Sequence, residues 1–110
     1  MAKKTIINKK IKNIVLNFGK AVEKKGVPVK KLVIFGSYAK GNARKESDID
    51  VCVVSPIFGK DSVEETQFLF KVRREVDSRI EPLPVSVEEY KEMNSPIVFE
   101  IKKFGQIIQV

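Results

Sequence analysis

Two short stretches of this sequence carry residue types that could do chemistry together: Gly36-Ser37-Tyr38-Ala39-Lys40-Gly41 and Ser47-Asp48-Ile49-Asp50-Val51. Gly36 has no Cβ, so an anionic group can approach its backbone closely. Ser37 adds a hydroxyl and a backbone N–H at what reads as a helix start, where amide donors and the helix dipole favour anions. Lys40, one turn along, either adds positive charge there or faces solvent. Asp48 and Asp50 are two apart, so on a strand both carboxylates project to one side while Ile49 and Val51 project to the other. Their Cα atoms would lie roughly 6–7 Å apart, and carboxylates so placed can converge on one or two divalent cations. Without a counter-ion the pair repels, whereas a bound cation keeps both groups ionised. A lone Gly-Ser is usually just a turn, and a lone Asp-x-Asp is usually a solvated strand start. The two at the ends of successive apolar runs point to phosphoryl or nucleotidyl transfer.

The elements that must position these residues are legible from periodicity. Ile7, Ile11, Ile14, Val15, Phe18 and Val22 recur at helical spacing, predicting an amphipathic helix over residues 5–25 that Gly26 and Pro28 end. Lys31 to Phe35 reads as a strand buried on both faces. Ser37 is placed to cap a short helix through Lys40, closed by Gly41. Residues 42–47 read as a loop, Asp48 to Val54 as the second strand, and Ser55-Pro56 as its stop. Val63, Phe68, Leu69, Val72 and Val76 mark a helix over 62–78. Arg79 to Val85 reads as a third strand, which Pro82 and Pro84 confine to a sheet edge or a short ladder. Ser86-Val87-Glu88-Glu89 has capping-box spacing. Ser95-Pro96 opens another helix ending near Gly105, and Gln106 to Val110 reads as a last strand. The sum is a single α/β (α+β) domain over residues 1–110, with a mixed sheet of about four strands flanked by helices.

Composition removes several chemistries. There is no histidine and one cysteine, Cys52, within an apolar run. Histidine-assisted nucleophiles and nitrogen or thiolate zinc sites are therefore excluded. A metal here is bound by oxygen, which favours magnesium or manganese. No apolar run approaches the roughly 20 residues of a membrane helix. The basic start Met1-Ala2-Lys3-Lys4 lacks the apolar core of a secretory signal, and the lone cysteine fits a reducing cytoplasm. The net charge of +7 is uneven: residues 1–47 carry 13 basic and 2 acidic residues, residues 48–110 carry 8 and 12. The basic half either attracts phosphate or an acidic partner, or is a solvated lysine face. Of the aromatics, only Phe18 interrupts the lysines of residues 1–31, and no helix-turn-helix pattern is present, which disfavours nucleic acid as the partner.

The two motifs closely resemble the signature of the minimal nucleotidyltransferases of the DNA polymerase beta-like superfamily, Gly-Ser-x-Ala-[Arg/Lys]-Gly followed by [Ser/Thr]-Asp-[Ile/Leu/Val]-Asp. The tail, with Ile80-Glu81-Pro82-Leu83-Pro84, Ser86 to Tyr90 and Ile101 to Gly105, looks like one branch of such domains. The resemblance implies the nucleotidyltransferase fold and metal-dependent transfer of a nucleoside monophosphate, with AMP from ATP as the expected case. It assigns Asp48 and Asp50 as metal ligands, Glu81 as a third catalytic and ligand carboxylate, and Gly36, Ser37, Lys40 and Ser47 to the nucleotide. Relatives commonly carry aspartate at the position of Glu81 and arginine at that of Lys40. Such proteins are often encoded beside a HEPN-domain toxin, which implies an antitoxin that modifies the toxin. The alternative is a catalytically vestigial module that neutralises a HEPN partner by contact. A domain of this size leaves little surface for an acceptor pocket, so a partner or a second copy of the chain is expected to supply one. The stripe on residues 5–25, or the Phe99-Ile101-Phe104 region, is expected to contribute to that contact.

Overall fold

A computed structural model describes residues 7–44, 46–92 and 94–109. Four strands form one mixed sheet: β1 (Lys31–Phe35), β2 (Ile49–Ser55), β3 (Ile80–Ser86) and β4 (Gln106–Gln109), in the order β3-β2-β1-β4. β1 runs antiparallel to both β2 and β4, and β2 runs parallel to β3. The parallel pair needs a crossover, which α3 (Ser62–Arg73) supplies. α1 (Lys9–Lys24) precedes the sheet, α2 (Ser37–Lys40) fills the turn after β1, and α4 (Val87–Glu92) and α5 (Pro96–Phe104) link β3 to β4.

α1 buries Ile11, Val15, Phe18 and Val22, the predicted stripe, against the sheet, so these residues are core and not the partner surface the sequence also allowed. It starts later than periodicity suggests because Asn8 caps it, accepting a hydrogen bond from Lys10 N–H at 2.7 Å. Residues 5 and 6 of the predicted helix lie outside the described residues. α3 also ends early, at Arg73 rather than residue 78. The N–H groups of Arg74, Glu75 and Val76 bond three residues back, tightening the last turn. Arg73 Nη1 then donates to the carbonyls of Ser78 and Ile80, at 3.1 and 2.9 Å, fixing the exit into β3.

β3 is an edge strand, as its prolines require. Pro82 and Pro84 have the same parity, so both lack donors that would face away from β2, and the ladder to β2 runs over all seven residues. The capping box forms: Ser86 N–H donates to Glu89 Oε1 and Glu89 N–H to Ser86 Oγ, each at 3.0 Å.

Strand alternation divides the core. Ile49, Val51 and Val53 join Leu32, Ile34 and Ile80 under α1 and α3. Val33, Phe35, Cys52, Val54 and Val85 meet Tyr90, Val98 and Ile101 of α4 and α5. No described helix is long and apolar enough to cross a membrane.

Candidate active site

The antiparallel register of β1 and β2 sets Phe35 opposite Asp50, so the turn after β1 begins beside that carboxylate. Gly36 there has φ +72° and ψ −147°, a conformation that residues with a side chain rarely adopt. A Cβ on Gly36 would overlap Asp50 Oδ2 and lie 2.9 Å from its Cγ. Glycine is thus required twice, by backbone conformation and by the close approach of the carboxylate. Gly36, rather than the predicted Ser37, is the N-cap of α2, and no side chain caps this helix. Ser37 is the first helical residue, and Gly41 closes the turn in the left-handed conformation at φ +83°.

The parallel register of β2 and β3 sets Asp50 beside Glu81. In-register residues of neighbouring strands share a face, so the two side chains project to the α4/α5 side. Asp48 lies one residue before β2 and is exposed, while Asp50 is half-buried. Burial, then the charges of Asp48, Glu81 and Glu100, raise the Asp50 carboxyl to about 6. Glu100, on α5, is an acid that local spacing did not reveal. Its only sequence signal is that it is the one acidic residue of the helix Pro96–Phe104.

Each glutamate has a cation. Glu81 Oε1 lies 3.7 Å from Arg73 Nη1, and Glu100 Oε1 lies 3.3 Å from Lys40 Nζ. Lys40 also sits over the Phe104 ring, 5.6 Å from its centre. Lys40 thus pairs with α5 while its side chain stays 41% exposed to solvent. Arg73 was not anticipated, because the pairing depends on where α3 ends. Ser47 is folded into its own loop: its Oγ accepts from Arg44 N–H at 2.7 Å, and its N–H donates to the Arg44 carbonyl at 3.0 Å.

Among the described residues, no three acidic, histidine or cysteine side chains stand close enough to form a ready metal cage. The donor set nevertheless fits a hard divalent cation. Magnesium is commonly held by one or two carboxylates, with substrate phosphates and water completing the shell. Asp48 and Asp50 supply that pair, Glu81 stands beside Asp50, and every donor is oxygen. Cys52, the next residue of the same parity, is buried, and its thiol is pushed up to about 12 by burial first and then by Glu89. It is a packing residue and no ligand.

The sequence pattern of the family described as "Nucleotidyltransferase domain" matches residues 9–108. A solved protein of Sulfolobus solfataricus, assigned as a nucleotidyltransferase, superposes with a TM-score of 0.65 at 17% identity, covering 89% of this chain and 78% of its own. A toxin-antitoxin structure with AMP-PNP superposes with a TM-score of 0.54 at 19% identity, covering 89% and 72%. At these identities the two neighbours speak for the fold alone. No protein of curated function matches the chain.

Proposed function

This chain belongs to the nucleotidyltransferase domain family, and from that premise we propose that it transfers AMP from ATP to a hydroxyl of a partner protein, in the manner of an antitoxin acting on a HEPN-type toxin. The observation that carries the reading is Gly36 packed against Asp50 with Glu81 alongside in register. Asp48 and Asp50 would hold magnesium, or manganese, with Glu81 completing the set. The ion, when bound, neutralises charge on the phosphate oxygens and the departing pyrophosphate. Gly36 lets a triphosphate reach the backbone beside the carboxylates, and Ser37 offers a hydroxyl and an N–H next to it. Glu81 accepts the acceptor hydroxyl proton as the new oxygen–phosphorus bond forms and the bond to pyrophosphate breaks. Lys40 is held in reserve by Glu100, and an incoming triphosphate competes for its charge.

The protein acceptor is supported by surface chemistry. Ile97, Phe99 and Phe104 of α5 are 41%, 50% and 45% exposed, and Phe104 adjoins the Lys40 ammonium. Ile97 and Phe104, seven residues apart, share one face of α5, and an exposed apolar face suits docking of a folded partner. Ile101, expected in the same contact surface, is fully buried and belongs to the core. One solved neighbour is a toxin-antitoxin protein with AMP-PNP, which agrees in kind.

The test is incubation of the purified protein with ATP, magnesium and its genomic neighbour, followed by intact mass. Gain of one or more adenylyl units by the neighbour is expected; an unchanged neighbour mass would contradict the reading. A contact-only antitoxin is the second reading, favoured by the cations that already engage Glu81 and Glu100. It predicts that Asp48→Asn with Asp50→Asn leaves neutralisation intact.

A further inference from the structure

A second recess lies at the same end of the sheet but on the α1 side. It is a cleft of about 350 Å3 whose lining includes Lys10, Ile11, Tyr38, Arg44 and Arg79. Ile11 and Tyr38 pack with the α1/α3 core, whereas Asp50 and Glu81 project to the opposite face. Its cations come from three separate elements: the first turn of α1, the loop between α2 and β2, and the turn before β3. Arg79 is braced by Asp77, with Nη2 to Oδ2 at 2.9 Å and Nε to Oδ1 at 3.1 Å. Lys10 and Arg44 form no ion pair among the described residues. The first turn of α1 contains no acidic residue. Lys9 and Lys10 therefore add to the positive end of that helix instead of offsetting it, which disfavours the helix. Local conflicts of that kind persist where a function depends on them.

We propose that this cleft binds the phosphate of a nucleotide, free or at the end of a strand, as a site distinct from the carboxylate site. Lys10 and Arg44 carry charge that no described ion pair offsets, and Arg79, held by Asp77, stands beside them. The Arg44 fork matches phosphate oxygens in a two-pronged geometry that lysine alone does not offer. The Tyr38 ring and the Ile11 side chain give an apolar wall for a base, and the volume suits a ligand of mononucleotide size. The loop that carries Arg44 also delivers Asp48, since Ser47 is bonded to Arg44 at both its N–H and its hydroxyl.

The experiment is performed in EDTA, where binding that depends on a divalent ion is silent. Isotope-labelled protein is titrated with inorganic phosphate, AMP, a 5′-phosphorylated oligonucleotide and a glutamate-rich peptide. Phosphate compounds should shift the resonances of Lys10, Arg44 and Arg79, with affinity falling as salt rises. Lys10→Gln with Arg44→Gln, both exposed positions, should weaken binding about tenfold or more, at roughly 1.4 kcal/mol per decade, while Asp50→Asn leaves it unchanged. AMP matching the oligonucleotide assigns a free nucleotide; an oligonucleotide at least tenfold tighter assigns a strand end. The proposal is overturned if phosphate compounds leave those resonances in place, if the double variant binds as the parent does, or if the acidic peptide binds tighter than every phosphate compound. Failure here leaves the adenylyl transfer reading standing, because that reading requires a metal and this site does not.

Discussion

Strand β2 presents Ile49, Val51 and Val53 to one face of the sheet and Asp50, Cys52 and Val54 to the other, and the two faces are packed on different terms. Under α1 and α3, all three β2 residues are fully buried in an apolar cluster that includes Phe18, Leu32 and Leu69. Under α4 and α5, the cluster is smaller and gives way at one end to Asp50, with Glu81 beside it and Glu100 acting on it from α5. The difference places most of the stabilising burial on one face and the proposed chemistry at the end of the other. A strand with period two can serve both because a substitution at one parity leaves the other parity in place.

That division can be broken by experiment. Phe18→Ala on the α1 side should cost about 3–5 kcal/mol of stability, read by denaturant unfolding, while transfer per folded molecule stays near that of the parent. A parallel loss of activity in the folded fraction would mean the faces are coupled. Gly36→Ala stands between the two faces and should harm both. Its positive φ alone costs on the order of 1–3 kcal/mol, and the overlap with Asp50 should lower transfer by about tenfold or more, since roughly 1.4 kcal/mol corresponds to a decade in rate.

Asp50 sharpens the comparison through pH. Its carboxyl sits at about 6 in the fold, against 3.8 ordinarily. Between those values the folded state keeps a proton that the unfolded chain has released, so metal-free stability falls as pH rises through that window. Asp50→Asn should therefore raise the melting temperature above pH 6 in EDTA and give no such gain below pH 4. A gain of equal size at both pH values would separate Asp50 from its acidic neighbours. The smallest contrast lies between the two glutamates. Glu81→Gln should lower kcat by about tenfold or more, whereas Glu100→Gln should change kcat by less and shift the KM for ATP as Lys40 is released.

Most elements were legible because they rest on local pattern. The isoleucine stripe of α1, the β-branched runs of β1 and β2, the paired prolines of β3 and the capping box at Ser86 each carry their own signal. The misplaced boundaries have local causes of another kind: an asparagine cap at Asn8, and an arginine at Arg73 that bonds forward to Ser78 and Ile80. Of the candidate site, Gly36, Asp48 and Asp50 announce themselves by type and spacing, and the β2–β3 register brings Glu81 to Asp50. Glu100, the Arg73–Glu81 pair, the capture of Lys40 by α5 and the cationic cleft arise only when distant segments pack. No periodicity encodes which helix closes over which face.

Asp48 and Asp50, at the Gly36 turn, are proposed to hold a metal-bound nucleotide. Calorimetric titration of a non-hydrolysable ATP analogue, with magnesium and in EDTA, tests this without any need for the acceptor. The parent should bind only with magnesium, and Asp48→Asn with Asp50→Asn should abolish that binding while the protein remains folded. Magnesium-dependent binding of equal affinity by the double variant would contradict the account.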